Sequence, residues 1–196
     1  MAESTDAMLL TLPNFLTVLR ILAVPFFAMA VWTGRMPAAC ILFALAGLTD
    51  LLDGYLARRW NQRSALGAIL DPAADKLLMT TAFILLAFPR EPLAVQIPAW
   101  VAILAISRDV LISVVTLFAY DRWDPSRFVP SFLGKLTTTV ELVAISLGLL
   151  LNAVVPGDPP AWYPYAHWMY YLVAALVFAS GLHYLLRTTG SRTANP

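Results

Sequence analysis

Residues 49–80 read TDLLDGYLARRWNQRSALGAILDPAADKLLMT. Their charges crowd the adjoining ends of two apolar stretches, Ala38 to Tyr55 and Ala73 to Phe88, where lipid ought to exclude them. Asp50 and Asp53 are three apart, and Asp71 and Asp75 four apart, so each pair shares one face of a helix. Pro72, directly after Asp71, predicts a helix that starts there, with Asp71 as its N-cap and Asp75 one turn deeper. The basic segment between the two stretches is short. The two helices are therefore expected as antiparallel neighbours whose carboxylate pairs face each other.

Beyond this stretch the composition names the solvent. Of 196 residues, 60% are hydrophobic and 13% charged, whereas soluble domains average roughly 45–50% and about 25%. Mean hydropathy is +0.73. A chain this small has no interior large enough to hide so much apolar surface, so much of it must face lipid. Soluble enzymes, disordered chains, disulfide scaffolds and basic nucleic-acid binders are excluded on these grounds. Cys40 stands alone and can form no internal bridge, and a net charge of +1 names no partner.

A helix needs about 20 apolar residues to cross a hydrocarbon layer of about 30 Å. Six segments approach that length: Phe15 to Trp32, Ala38 to Tyr55, Ala73 to Phe88, Ile97 to Tyr120, Leu136 to Val154 and Trp168 to Leu186. The alternation of barrel strands is missing, so the expected fold is an all-α integral membrane protein with six transmembrane helices. Breakers fall in Thr33 to Pro37, Pro89 to Pro98, Asp121 to Leu133 and Pro156 to Pro164. No internal repeat divides the chain, so residues 1–196 read as one domain, with 1–13 an interfacial segment and 187–196 a cytoplasmic tail.

Orientation follows from the basic residues. With the N-terminus in the cytoplasm, the inner side receives Arg58, Arg59, Arg63, Lys76, Arg122, Arg127, Lys135, Arg187 and Arg192, and the outer side only Arg35 and Arg90. Trp32, Trp100, Trp162, Tyr163, Tyr165 and Trp168 gather at the outer ends like an interfacial belt. Met1 to Met8 carries two acids and no base, which disfavours a cleaved signal peptide. A bacterial inner membrane with both termini cytoplasmic is the expected location, because no targeting presequence is visible.

An aspartate charged at membrane depth costs roughly 2.5–3.5 kcal/mol, and Asp50, Asp53, Asp71 and Asp75 together repel strongly. Three things can offset this: protonation, pairing with Arg58, Arg59 or Lys76, or divalent metal. The bland reading is a set of paired structural aspartates. Oxygen-only ligands with no His or Cys nearby select hard ions such as Mg²⁺ or Mn²⁺, and the metal reading is preferred. Gly54 and Ala57 leave room for a flat group beside the second helix, and Gly67 opens the approach to the third, although small residues also serve tight helix packing. Arg58 beside the acids suits a phosphate clamp, while Arg59 and Arg63 need only obey topology.

The whole pattern is D-x-x-D-G-x-x-A-R, eight residues, then G-x-x-x-D-x-x-x-D, formed by Asp50, Asp53, Gly54, Ala57, Arg58, Gly67, Asp71 and Asp75. It resembles the signature of the CDP-alcohol phosphatidyltransferase family, with every position and spacing intact. The resemblance implies six transmembrane helices, a homodimer, and a polar cavity open to the cytoplasmic side. It further implies two divalent cations, Mg²⁺ or Mn²⁺, held by Asp50, Asp53, Asp71 and Asp75 against the pyrophosphate of CDP-diacylglycerol. Asp75 resembles the family's general base, Gly54, Ala57 and Gly67 its nucleotide-accommodating positions, and Arg58 its phosphate contact.

The first span, PNFLTVLRILAVP, resembles the phosphatidylglycerophosphate synthase and cardiolipin synthase branch, with Asn14, Thr17 and Arg20 at matching polar positions. Arg20 is expected to reach a phosphate, against the alternative of snorkelling to headgroups. Arg108 and Asp109 lie deep in the fourth span and, as neighbours, do not share a face, so Arg108 is expected to reach an acceptor phosphate or the motif acids. Lys135 either holds an anionic acceptor or attracts anionic lipid. Glu141 should turn inward and pair with Arg108 or Arg20. Phosphatidylglycerophosphate synthases usually carry Arg-Glu in the fourth span and another arginine seven residues later, where this chain has Asp109 and Thr116. These departures favour phosphatidylglycerol as acceptor, with cardiolipin as product, over the alternative of glycerol 3-phosphate. An ion-coupled transporter using its intramembrane acids is the rival of another class, but broken helices or inverted repeats are not seen in the sequence.

Overall fold

The computed structural model describes residues 12–59, 65–88, 93–120, 132–155, 161 and 163–189. These form six α-helices: α1 (Leu12–Trp32), α2 (Met36–Arg59), α3 (Ala65–Ala87), α4 (Ala99–Tyr120), α5 (Phe132–Val154) and α6 (Tyr163–Thr189). Each contains one of the six apolar segments, apart from the first residues of the fourth and the last of the third, where Ile97, Pro98 and Phe88 lie outside helix. Leu12 and Pro13 already belong to α1. The rest of the interfacial segment (1–11), residues 190–196 of the tail, and Arg63, Arg122 and Arg127 lie outside the described residues.

The larger correction concerns α3. It begins at Ala65, so Asp71 is an interior residue and not an N-cap, and Pro72 sits inside the helix. Proline lacks the N–H that a helix interior uses, but such residues are tolerated where neighbouring helices and polar side chains satisfy the freed backbone, as in membrane bundles. Pro25 is accommodated inside α1 in the same way.

Between α1 and α2 the chain reverses over Gly34, whose φ of 73° is open to glycine without penalty. Its N–H bonds to the Val31 carbonyl at 3.2 Å and the Arg35 N–H to the Ala30 carbonyl at 2.9 Å, the paired bonds of a Schellman stop. Helix α1 then lies against both α2 and α3, which scarcely meet each other. The two helices expected to face each other meet less than α1 meets either, although the charge of Asp50 on α2 still reaches Asp75 on α3. Helix α5 packs on α2 and α6, and α4 on α6 and α3.

The core is apolar: Phe27, Val31, Phe43, Leu86, Val101, Ile145, Leu149 and Val177 are buried within it. Phe26, Met29, Phe132, Trp168 and Phe178 are 66% to 80% exposed, an arrangement that water penalises and lipid does not. Helices Asn14–Trp32 and Phe132–Val154 are each long and apolar enough to cross a membrane. Near the starts of α4 and α6, Trp100 meets Tyr171 at a tilt and Trp168 meets it edge-on, with ring centroids 5.7 and 6.0 Å away.

Before α4, Leu93, Ala94, Val95 and Ile97 are buried although they lie outside helix. Buried backbone must find partners, and Asn152 of α5 supplies them. Its Oδ1 accepts from the Val95 N–H at 3.0 Å, and its Nδ2 donates to the carbonyls of Val95 at 2.7 Å and Gly148 at 2.8 Å. The Ile97 N–H donates to the Leu86 carbonyl at 3.0 Å.

Candidate active site

Asn14, Thr17 and Arg20 recur every three residues on one face of α1, and all are buried. Arg20 is enclosed by the bundle at 2% exposure. Its NH1 donates to Oδ1 of Asp50 on α2 at 2.7 Å. One turn earlier, the Thr17 hydroxyl donates to Oδ1 of Asp71 on α3. The two motif halves are therefore joined through a third helix. Asp75 is half-buried one turn beyond Asp71, and the charges of Asp50, Arg20, Asp109 and Lys76 all act on it.

Asp53, Gly54, Ala57 and Arg58 lie on the last turns of α2, and Gly67 in the first turn of α3; their side chains lie outside what the structure describes. Lys76, a possible counter-charge to the acids, crosses to α4, where its Nζ donates to the Ser113 hydroxyl and to the Asp109 carbonyl at 3.4 Å. The Ser113 hydroxyl in turn donates to that same carbonyl at 2.7 Å.

A second polar cluster lies on α4, α5 and α6. Arg108 pairs with its own neighbour, NH1 to Asp109 Oδ1 at 2.7 Å, and its NH2 donates to Ser180 Oγ at 2.9 Å. This corrects the expectation that adjacent residues would not meet: their Cβ atoms diverge, but the arginine stem is long enough to bend its fork round the helix to the carboxylate. NH2 also reaches the Gly134 carbonyl at 3.5 Å, next in sequence to the exposed Lys135. Glu141 turns inward as expected, at 1% exposure, but it does not pair with Arg108 or Arg20. Its Oε1 has no hydrogen-bond partner among the described residues. Ser113, Ser180 and Asn152 were not singled out by sequence; each is one polar residue in an apolar run, the only signal they give.

Among the described residues, no three His, Cys, Asp or Glu side chains stand close enough together to form a metal site by themselves. The donor set nevertheless suits a hard cation. The Asp50 side chain is 41% exposed, and Arg20 and Thr17 donate to Oδ1 of Asp50 and of Asp71 respectively. A carboxylate has two oxygens and several lone pairs, so accepting one bond leaves it able to bind a cation.

Residues 10–181 match the sequence profile of the CDP-alcohol phosphatidyltransferases. The chain belongs to this family. It is 37% identical to a CDP-diacylglycerol–glycerol-3-phosphate 3-phosphatidyltransferase of Haemophilus influenzae over 142 residues, covering 71% of this chain and 75% of that one. It is 35% identical to the protein of the same name from Escherichia coli (strain K12) over 178 residues, 89% of this chain and 92% of that one. The Shigella flexneri serotype 5b protein, 34% identical over 178 residues, carries that name too. The preference for phosphatidylglycerol as acceptor is corrected by these likenesses, which favour the alternative. The departure at Asp109 is a poor branch marker for a physical reason: aspartate already gives Arg108 the carboxylate partner that glutamate would give.

Proposed function

We propose that this phosphatidyltransferase moves the phosphatidyl group of CDP-diacylglycerol onto a hydroxyl of glycerol 3-phosphate, releasing CMP, in the inner membrane of a bacterium. The reading rests chiefly on the intact eight-residue signature, two of whose acids, Asp50 and Asp71, are brought to one helix by Arg20 and Thr17. The names of the relatives supply the acceptor. The chain is taken as one domain that crosses the membrane six times, with the site opening to the cytoplasmic side, where Lys and Arg concentrate.

Asp50, Asp53, Asp71 and Asp75 would hold divalent Mg²⁺ or Mn²⁺, which would supply neutralisation of the pyrophosphate charge as CMP departs. Asp75 acts as base. It takes the proton of the acceptor hydroxyl as that oxygen bonds to the lipid-bearing phosphorus and the bond from phosphorus to the CMP oxygen breaks. Gly54, Ala57 and Gly67 would give the nucleotide room, and Arg58 a phosphate contact. Arg108, held by Asp109 and Ser180 next to the start of α5, and Lys135 on that first turn would attract the acceptor's phosphate. Arg20 serves the phosphates indirectly, through Asp50.

The test is CMP release from CDP-diacylglycerol in mixed micelles with Mn²⁺, offering either acceptor. Release is expected with glycerol 3-phosphate; release with phosphatidylglycerol instead would reverse the acceptor assignment. Asp75→Asn should lower turnover by about 100-fold or more, as loss of a general base does. A variant with undiminished turnover would remove Asp75 from the chemistry.

A further inference from the structure

Threonines in this bundle mostly bond to their own helix. The hydroxyls of Thr81, Thr137, Thr138 and Thr139 each donate to the carbonyl four residues back, at 2.7 to 3.1 Å, the usual fate of a helical threonine, and that of Thr137 also lies 3.3 Å from the Leu176 carbonyl of α6. Thr17, wholly buried on α1, sends its hydroxyl across to another helix and onto a signature carboxylate, Oδ1 of Asp71. Arg20, one turn on, does the same to Asp50. Helix α1 packs more extensively on α2 and on α3 than they pack on each other, so an acid of each is held by one shared helix. A donor on one carboxylate oxygen also stops the group from rotating, and such outer partners tune the affinity of the oxygen that binds metal.

We propose that Thr17 is a positioning residue for a divalent cation: its hydroxyl fixes the Asp71 carboxylate so that the second oxygen is presented as a ligand. This makes α1 part of the cation site although the signature does not include it. The proposal rests on the cation reading given above. Its test therefore measures Mn²⁺ binding directly, in the purified full-length protein without donor or acceptor, by loss of the free-ion electron paramagnetic resonance signal. Thr17→Val, nearly the same shape without the donor, should bind Mn²⁺ about tenfold or more weakly, in the range seen for outer-shell partners. Thr17→Ser should stay close to wild type. If the valine variant does not fold, Thr17→Ala against Thr17→Ser makes the same comparison, since they differ by the hydroxyl alone. Folded Thr17→Val with wild-type affinity overturns the proposal, as does a serine variant as weak as the valine or alanine one. Binding that is lost in Asp71→Asn but kept in Thr17→Val sinks Thr17 alone; binding unchanged in Asp71→Asn sinks the cation reading itself.

Discussion

Glu141 is a buried acid with one carboxyl oxygen unpartnered among the described residues. An unsatisfied buried polar atom costs about 1–3 kcal/mol, and an apolar replacement of similar size is often neutral or stabilising. Glu141→Met should therefore leave the thermal unfolding midpoint unchanged or raise it; a clear fall would mean that Glu141 has an essential partner. The inward turn of Glu141 was legible in the sequence, because intramembrane acids avoid lipid. That it would not pair with Arg108 or Arg20 was not. Helical spacing says which residues share a face, but Arg108 shows that a long side chain can leave its face to reach the next residue in the chain. In the same way Arg20 was recognisable as a charge within an apolar span, while its bond to Asp50, thirty positions away, was not.

At the scale of the element, hydropathy located all six helices and placed most ends within a few residues. It failed at α3, where Asp-Pro looked like a start and is an interior pair. A proline reads as a boundary only if water or nothing must satisfy the freed carbonyl; a neighbouring helix changes that balance. The buried passage before α4 was also invisible, because its backbone partner is a side chain, Asn152, more than fifty residues later. Asn152→Leu should leave the N–H and carbonyl of Val95 without that partner, at about 1–3 kcal/mol for each group left unsatisfied. A lower unfolding midpoint in detergent is expected, with Asn152→Asp intermediate because it keeps the acceptor and loses the donor. Equal midpoints for wild type and Asn152→Leu would show that the clamp contributes nothing.

For the whole molecule, sidedness rests on charge: nine basic residues on one side of the expected spans and two on the other. A fluorescent reporter fused after the C-terminus should therefore glow in the cytoplasm, and alkaline phosphatase fused there should be inactive. The opposite result would invert the orientation and move the signature acids away from cytoplasmic substrate. Charge counting gives the side but not which helix touches which. That adjacency is set by side-chain packing along α1, where Asn14, Thr17, Arg20, Val24, Phe27 and Val31 are buried in a helix that rests on two others.

The arginine and threonine of α1 lie earlier in the chain than the acids they hold. A ribosome releases the N-terminal segment first. When the two acidic segments are later threaded sideways into the bilayer, their counter-charge and their hydroxyl donor are waiting there, so the order of synthesis matches the order in which the charges must be neutralised.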